Sequence, residues 1–348
     1  MTSVRLSSDE QRAGTPSSWL RLAAERLILS EYLVLLLTVV YFLAMLPIVP
    51  SIATPSVMLD IVNAMAPLLV VAIGQTFVLI VAGIDLSAPA ILAMASVVGA
   101  SVMTGDDGYL MNSPFAVPGG IAVFLVIGIA IGWLNGVCTA RLGMPALIVT
   151  LTTMMFFSGA AIWYTALHTD ASSIGNLPPS FIAIGEGEIA GGFTFAILIA
   201  AAVALVAHFT LSRTVYGRWL YAVGTNARAA EISGVPVRRA AMWAFIIAGL
   251  CAGIASVLYT GRLETGTPVL GQRILLDVIG AAVIGGVSLF GGKGKVMWTL
   301  FGVLFLAVID KSLQLLGLAL SSVFAIKGGV ILMAAIIDAL RHRLLVRR

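Results

Sequence analysis

Long apolar runs separated by short polar breaks dominate the hydrophobic pattern of this chain. A helix needs roughly 20 apolar residues to cross the hydrocarbon core of a bilayer, which is about 30 Å thick. Ten runs approach that length, at residues 31–50, 57–82, 87–104, 118–140, 145–166, 192–212, 239–261, 274–290, 295–316 and 321–340. The pattern therefore predicts an all-α, polytopic membrane protein with about ten transmembrane helices.

Two of these runs contain residues that interrupt a helix. Asp60, Asn63 and Pro67 lie inside the second run, which therefore forms either one helix or two shorter ones. The eighth run is short and ends among glycines. A bilayer tolerates a broken or re-entrant element only where protein or a cavity covers its backbone.

The composition agrees with burial in lipid. The 348 residues are 60% apolar and 10% charged, whereas soluble domains average about 45–50% apolar and about 25% charged. A soluble enzyme, a disordered chain and a nucleic-acid binder are poor fits, although Lys and Arg outnumber Asp and Glu by 20 to 16. We expect a cytoplasmic tail at 1–30, a transmembrane domain at 31–340 and a basic cytoplasmic tail at 341–348.

The positions of the basic residues predict the orientation. If ten helices span the membrane and both termini are cytoplasmic, 16 of the 20 Lys and Arg residues lie on the cytoplasmic side. Arg262 and Arg273 then lie outside, and Lys311 and Lys327 lie within spans. This distribution obeys the positive-inside rule.

The cytoplasmic loop at 213–238 contains the sequence of a short capped helix. Asn226 is a good N-cap, Gly234 can close the C-terminus, and Pro236 prevents continuation. The small residues Ala229 and Ala230 leave a flat face. This helix either turns the chain between two spans or receives another protein.

The loop also resembles the cytoplasmic loop of the ribose-type sugar permeases of ATP-binding-cassette importers, in the branched-chain amino acid/ribose permease superfamily. The matching residues are Gly217, Arg218, Leu220, Tyr221, Ala222, Gly224, Asn226, Ala229, Ala230, Ser233 and Gly234. Four further segments are similar to motifs of that family and occur in the same order: Gly83–Ser87, Leu134–Gly136, Pro145–Leu151 and Ile284–Gly294.

The resemblance implies a permease subunit of a bacterial inner membrane that passes a sugar or similar hydroxylated solute inward. Its implied partners are a second permease subunit, identical or homologous, a periplasmic solute-binding protein, and two ATPase subunits or one fused tandem ATPase. The loop would be the coupling helix seated in the ATPase, through Gly224, Asn226, Arg228, Ala229, Ala230, Glu231, Ser233 and Gly234.

We expect no nucleotide site, cofactor or catalytic residue in the chain itself. A phosphate-binding loop requires G-x-x-x-x-G-K-[ST]. The segment from Gly286 to Lys293 comes closest, but its Lys stands one place late and Gly294 follows it. ATP would therefore be bound by the partner. No cluster of residues suggests a metal site, because His168 and His208 have no ligand partner at helical spacing.

Polar residues inside spans are candidates for the translocation pathway, because burying them in lipid is costly. These candidates are Asn63, Gln75, Thr150, Thr153, Asp310 and Gln314, with Phe156 as part of a hydrophobic gate. Each has an alternative role in ordinary packing or interhelical hydrogen bonding. Asp310 and Lys327 lie at similar predicted depth, so they form either a structural ion pair or part of the pathway.

Three further features carry hypotheses. Asp85 or Ser87 is expected to cap the following helix or to serve as an inner gate, in preference to binding solute. The glycines at 128, 132 and 136 share one helix face and predict close helix packing. Arg262 and Arg273 are candidates for docking of the binding protein.

An ion-coupled secondary transporter is the alternative function, because acids such as Asp310 lie within the spans. The sequence leaves open which solute moves, whether the partner permease is identical, and what Asp310, Lys311 and Lys327 do.

Overall fold

The computed structural model describes residues 32–346, and in that range the chain is helical and contains no β-strand. Two isolated β-bridges join Ile174 to Gly266 and Glu188 to Thr194. The helices of the described range are α1 (Leu33–Met45), α2 (Pro55–Ile80), α3 (Ala88–Met103), α4 (Ala116–Gly136), α5 (Ala146–His168), α6 (Pro179–Glu186), α7 (Phe195–Arg213), α8 (Val215–Thr225), α9 (Ala227–Ile232), α10 (Val237–Leu263), α11 (Leu275–Gly285), α12 (Val296–Leu315) and α13 (Leu320–Val346).

Within residues 32–346, six helices are long and apolar enough to cross a bilayer: α2, α4 with its π-helical extension Val137–Arg141, α5, α7, α10 and α12. Shorter apolar helices occupy the other four predicted runs, in α1, α3, α11 and the first part of α13. The all-α class is therefore confirmed, and the count of about ten spans stays a prediction. The predicted tail at 1–30 and residues 347–348 lie outside the described residues, while 341–346 continue α13.

The second apolar run forms one continuous helix, so the alternative of two shorter helices is wrong. Pro67 lies inside α2 and is buried. A proline removes one backbone hydrogen bond from a helix interior. The middle of α2 packs against α7, α10 and α12, and this burial holds the two halves in line.

A seam of glycines joins α4 to α10, whose apolar stretch is the most buried among the six long helices of the described range. A methyl group placed on Gly128 would overlap the carbonyl oxygen of Gly249. On Gly132 it would lie 2.5 Å from the carbonyl oxygen of Phe245, and on Gly136 2.8 Å from that of Met242. The predicted close packing is confirmed, because glycine has no Cβ atom and so allows the two backbones to approach this closely.

The eighth apolar run gives only the 11 residues of α11. Gly286, with φ of 113°, ends the helix in a left-handed turn. A methyl group on Gly302 of α12 would overlap the carbonyl oxygen of Ala281, so α11 and α12 pack closely. The chain then passes through an irregular glycine-rich loop at 286–295 to reach α12.

Candidate functional site

The loop at 213–238 folds into two short helices, α8 and α9, that we call the coupling hairpin. Thr214 caps α8, since its Oγ1 accepts a hydrogen bond of 3.1 Å from the Gly217 amide. Asn226 caps α9 through Oδ1, which accepts from the Ala229 amide at 2.9 Å. Gly234, with φ of 82°, follows the end of α9. The predicted N-cap and glycine terminus are therefore confirmed.

Helix α9 presents a mixed surface to its surroundings. Arg228 Nη1 donates to Glu231 Oε2 at 2.8 Å, and both side chains are exposed, as are Asn226, Ala229, Ser233 and Gly234. Ala230 instead is buried against the bundle. Ile232 is 77% exposed. Among residues 226–234, Ile232 is the one large apolar side chain, and this is the sequence signal that could have singled it out.

The coupling hairpin meets the bundle at a tight contact that we call the junction, formed by Gly224, Ile80, Gly291 and Gly292. A methyl group on Gly224 would overlap the carbonyl oxygen of Ile80, the last residue of α2. That oxygen accepts a hydrogen bond of 2.9 Å from the Gly292 amide. The junction therefore connects the hairpin to the end of α2 and to the loop between α11 and α12.

Two tyrosines of α8 fasten the hairpin further. The Tyr221 hydroxyl donates to the carbonyl oxygen of Gly294 at 2.7 Å, and the Tyr216 hydroxyl donates to that of Ala240 at 3.2 Å. Burial raises the pKa of both phenols, because the charged form loses its solvation. Both groups therefore remain neutral hydrogen-bond donors near pH 7.

The chain between α2 and α3 takes part in a network of buried polar groups. Residues 81–87, which we call the 81–87 segment, are not helical and turn back along α2. In the orientation that satisfies both its amide atoms, Gln75 donates to the Asp85 carbonyl oxygen at 3.0 Å and accepts from the Asp85 amide at 3.3 Å. Gln75 is five residues, or about 7.5 Å, from the end of α2. The segment therefore lies inside the bundle.

The segment bonds to α4 through a side chain and to α5 through its backbone. Asp85 Oδ1 accepts from the Ser87 amide at 2.8 Å and from the Ser87 hydroxyl at 2.6 Å. Asn135 Nδ2 donates to Ser87 Oγ at 2.8 Å, and Thr153 donates to Asn135 Oδ1 at 2.9 Å. Thr150 donates to the carbonyl oxygen of Ile84 at 3.1 Å. Thr150 and Thr153 are thus brought together with Gln75 in one network.

The expected cap of α3 takes a different form. Ser87 occupies the N-cap position, but its side chain makes no capping bond to α3. Its hydroxyl is directed to the Asp85 carboxylate, which also holds the Ser87 amide. The prediction that Asp85 or Ser87 caps the helix by a side chain is therefore wrong, because Asp85 closes a local turn.

The remaining pathway candidates of α2 and α5 lie apart from this network. Asn63 Nδ2 donates to the carbonyl oxygen of Gly192 at 3.1 Å. Its Oδ1 accepts from the amide and from the hydroxyl of Thr194, each at 3.2 Å. Asn63 thus holds the chain that enters α7. Phe156 is 70% exposed on α5 and contacts Phe157 edge to face, with ring centroids 5.1 Å apart.

A buried charge cluster joins α11, α12 and α13. Lys327 Nζ donates to Asp310 Oδ2 at 2.9 Å, so the predicted ion pair between these residues is confirmed. It also donates to Asp277 Oδ2 at 2.6 Å, a contact that sequence reasoning missed. Lys327 is only 4% exposed. Gln314, one turn further along α12, is exposed and lies outside the cluster.

The two arginines proposed for docking have neighbours within the chain. Arg262 Nε lies 3.6 Å from Glu186 Oε1, and Arg262 is partly exposed, so its role in docking stays a prediction. Arg273 is exposed, with its guanidinium 6.0 Å from the centre of the Phe324 ring. Among the described residues, no group of three His, Cys, Asp or Glu side chains is placed to hold a metal ion.

Comparison with known proteins gives a consistent result. The family described as branched-chain amino acid transport system, permease component, matches residues 57–337. Ribose import permease protein RbsC of Bacillus subtilis is 35% identical over 304 residues, covering 85% of this chain and 90% of the relative. RbsC of Haemophilus influenzae is 34% identical over 269 residues, covering 77% and 80%.

A third relative carries a different sugar in its name. D-allose transport system permease protein AlsC of Escherichia coli is 34% identical over 271 residues, covering 78% of this chain and 79% of the relative. No solved structure matches the chain.

Proposed function

Because the chain belongs to the family of permease components of branched-chain amino acid transport systems, we propose that it is the transmembrane permease subunit of an ATP-binding-cassette importer. It passes a sugar or similar hydroxylated solute into the cytoplasm by ATP-driven alternating access. The names of its relatives, which refer to ribose, D-allose and other monosaccharides, support a sugar as the solute.

The observation that carries this proposal is the capped helix α9, which is exposed on one side and joined to the bundle on the other. Its charged and apolar side chains at 228, 231 and 232 are available to a partner. The junction connects the same hairpin to the backbone of α2. These contacts support a role in which a partner that presses on α9 moves the membrane helices.

The proposed assembly lies in the inner membrane with α9 in the cytoplasm. Two ATPase subunits or one fused tandem ATPase bind ATP and contact the coupling hairpin. A second permease subunit, identical or homologous, completes the channel, and a periplasmic binding protein delivers the solute. Both termini of this chain are cytoplasmic in this arrangement.

Reconstitution tests the proposal. The purified permease is placed in proteoliposomes with its ATPase and binding protein. These proteoliposomes should transport a radiolabelled monosaccharide only when ATP is present on the side of the membrane that the ATPase faces. Uptake should persist when proton and sodium gradients are abolished by ionophores. Uptake by the permease alone, driven by either gradient, would instead establish an ion-coupled secondary transporter.

A variant of the hairpin sharpens the same experiment. Ala229 is exposed on α9, so a bulky replacement such as Ala229→Trp should obstruct the partner's groove while the protein still inserts. Gly234→Trp should act similarly and also strain a backbone with φ of 82°. ATP hydrolysis should then continue without uptake, and normal uptake in both variants would contradict the role of α9.

A further inference from the structure

The 81–87 segment begins beside the junction, where the coupling hairpin meets Ile80 and the loop between α11 and α12. Its first residues follow Ile80, whose carbonyl oxygen lies under Gly224 and accepts the Gly292 hydrogen bond. A methyl group on Gly291 would lie 2.8 Å from the Ala82 side chain and 2.9 Å from the Gly224 carbonyl oxygen. Movement of the hairpin would therefore reach the start of this segment through Ile80 and Gly291, because these close backbone contacts leave no space for sliding.

The other end of the segment is fixed to α5 through hydrogen bonds. Thr150 holds the Ile84 carbonyl oxygen, while Ser87 is connected to Thr153 through Asn135. Ser87, Asn135 and Thr150 are fully buried. Directional bonds between buried groups resist displacement, because a broken bond leaves a polar atom without a partner.

Helix α5 is suited to respond to such a displacement. Only 17% of its apolar stretch is buried against the rest of this chain, compared with 72% for α10, so most of the surface of α5 is not packed against neighbouring helices of the same chain. Phe156 lies one turn beyond Thr153 on the same helix and is exposed. A shift at Thr153 therefore moves Phe156 as part of one rigid helix.

We propose that the 81–87 segment transmits movement of the coupling hairpin to α5, with Asn135 and Thr153 as its positioning residues. This inference rests on the proposed function, since it assumes that an ATPase moves the hairpin. In this proposal α5 is the helix that the hairpin displaces. The non-helical backbone between α2 and α3 then serves as the mechanical connection between them. Irregular backbone at membrane depth requires such internal partners.

Two adjacent threonines provide a matched test. Thr153 bonds to its own helix at Thr150 and also to Asn135 on α4. Thr152 bonds only to its own helix, at Ile148 and Val149. Thr153→Val and Thr152→Val therefore make the same chemical change and both lose helix bonds, but only Thr153→Val breaks the connection to α4.

The measurement is the number of solute molecules taken up per ATP hydrolysed in proteoliposomes that contain the ATPase and the binding protein. Thr153→Val should lower this ratio about tenfold, which corresponds to about 1.4 kcal/mol. Thr152→Val and Thr153→Ser, which retains the hydroxyl, should stay within about twofold of the native ratio. A native ratio in Thr153→Val, or an equal loss in Thr152→Val, would overturn the proposal.

A second readout does not depend on full transport activity. With Cys138 replaced by Ala, Phe156→Cys should react with a water-soluble maleimide at a rate that changes when the assembled ATPase binds ATP. Adding Thr153→Val should abolish this change. An unaltered response would refute transmission through Thr153. If the native assembly shows no ATP-dependent uptake, the proposed function fails and this inference fails with it. If the native assembly is active and the Thr153→Val variant behaves like it, only this inference fails.

Discussion

Gly224→Ala places a methyl group at the point where the coupling hairpin meets the membrane helices. The added carbon would overlap the carbonyl oxygen of Ile80 and lie 2.5 Å from the amide nitrogen of Gly292. Both neighbours are backbone atoms, so no flexible side chain can turn aside. The hairpin must therefore separate from α2, or the hydrogen bond between Ile80 and Gly292 must break.

The structure allows the size of this effect to be worked out. Overpacking a close contact costs about 1–3 kcal/mol, and a lost hydrogen bond costs about 0.5–1.5 kcal/mol. Alanine in place of glycine within a helix returns about 1 kcal/mol. We expect a net destabilisation of about 2 kcal/mol at the junction, concentrated where the hairpin transmits movement.

The assay compares this variant with Gly159→Ala on α5. No atom lies within 4 Å of a methyl group placed on Gly159, so that variant should gain about 1 kcal/mol of stability from the helix preference of Ala and should keep native uptake. Gly224→Ala should lower the melting temperature of the detergent-solubilised protein and reduce ATP-driven uptake about tenfold or more. Native uptake in Gly224→Ala, or equal loss in both variants, would refute the assignment of the junction as the point of transmission.

Three other changes have defined outcomes. Asn226→Ala removes the N-cap of α9 and should destabilise that helix by about 1 kcal/mol. The loaded binding protein should then stimulate ATP hydrolysis less than in the native assembly, whereas Asn226→Asp should keep both the cap and the native stimulation. Equal stimulation in the two variants would contradict the role of the cap. Lys327→Met leaves two carboxylates without their cation and should lower the free energy of unfolding by about 3–5 kcal/mol. Lys311→Met breaks an ion pair with the exposed Asp60 and should lower it by only about 0–1 kcal/mol. Similar losses in the two variants, measured by thermal unfolding, would refute this distinction between the two lysines. Arg273→Glu should weaken binding-protein docking at low salt and matter less at high salt, and unchanged docking at low salt would remove Arg273 from that surface.

Local signals in the sequence predicted local structure well. The α9 cap depends on Asn226 and an amide three residues away, and its terminus depends on Gly234, so both can be read without knowing the fold. The glycines at 128, 132 and 136 likewise predicted close packing because their spacing alone places them on one face. The identity of the partner helix, α10, required the structure.

The partners of polar residues within spans were harder to predict. The predicted depths of Lys327 and Asp310 in the membrane are similar, which predicted their ion pair. The depth of Asp277 could not be predicted in the same way, because α11 follows an irregular segment and its start cannot be counted from a membrane boundary. The pair of Lys311 with Asp60 was missed because it depends on α12 packing against α2.

The role of span amides also depends on irregular backbone. Asn63 and Gln75 were candidates to line the pathway, with ordinary packing or interhelical hydrogen bonding as the alternative role. Their partners here are backbone groups of the chain before α7 and of the 81–87 segment. The sequence shows that such segments exist, but not which side chain satisfies their amides and carbonyls.

Cross-linking at Ile232 tests most directly whether a neighbouring ATPase drives this subunit through α9. With Cys138 replaced by Ala, Ile232→Cys in the native membrane should form a disulfide or maleimide cross-link to the ATPase, and ATP binding should change its yield. Leu263→Cys, exposed at the opposite end of α10, should not react with the ATPase. Labelling of Ile232→Cys by an impermeant reagent from the periplasmic side, or the absence of any ATPase cross-link in an actively transporting assembly, would contradict the account.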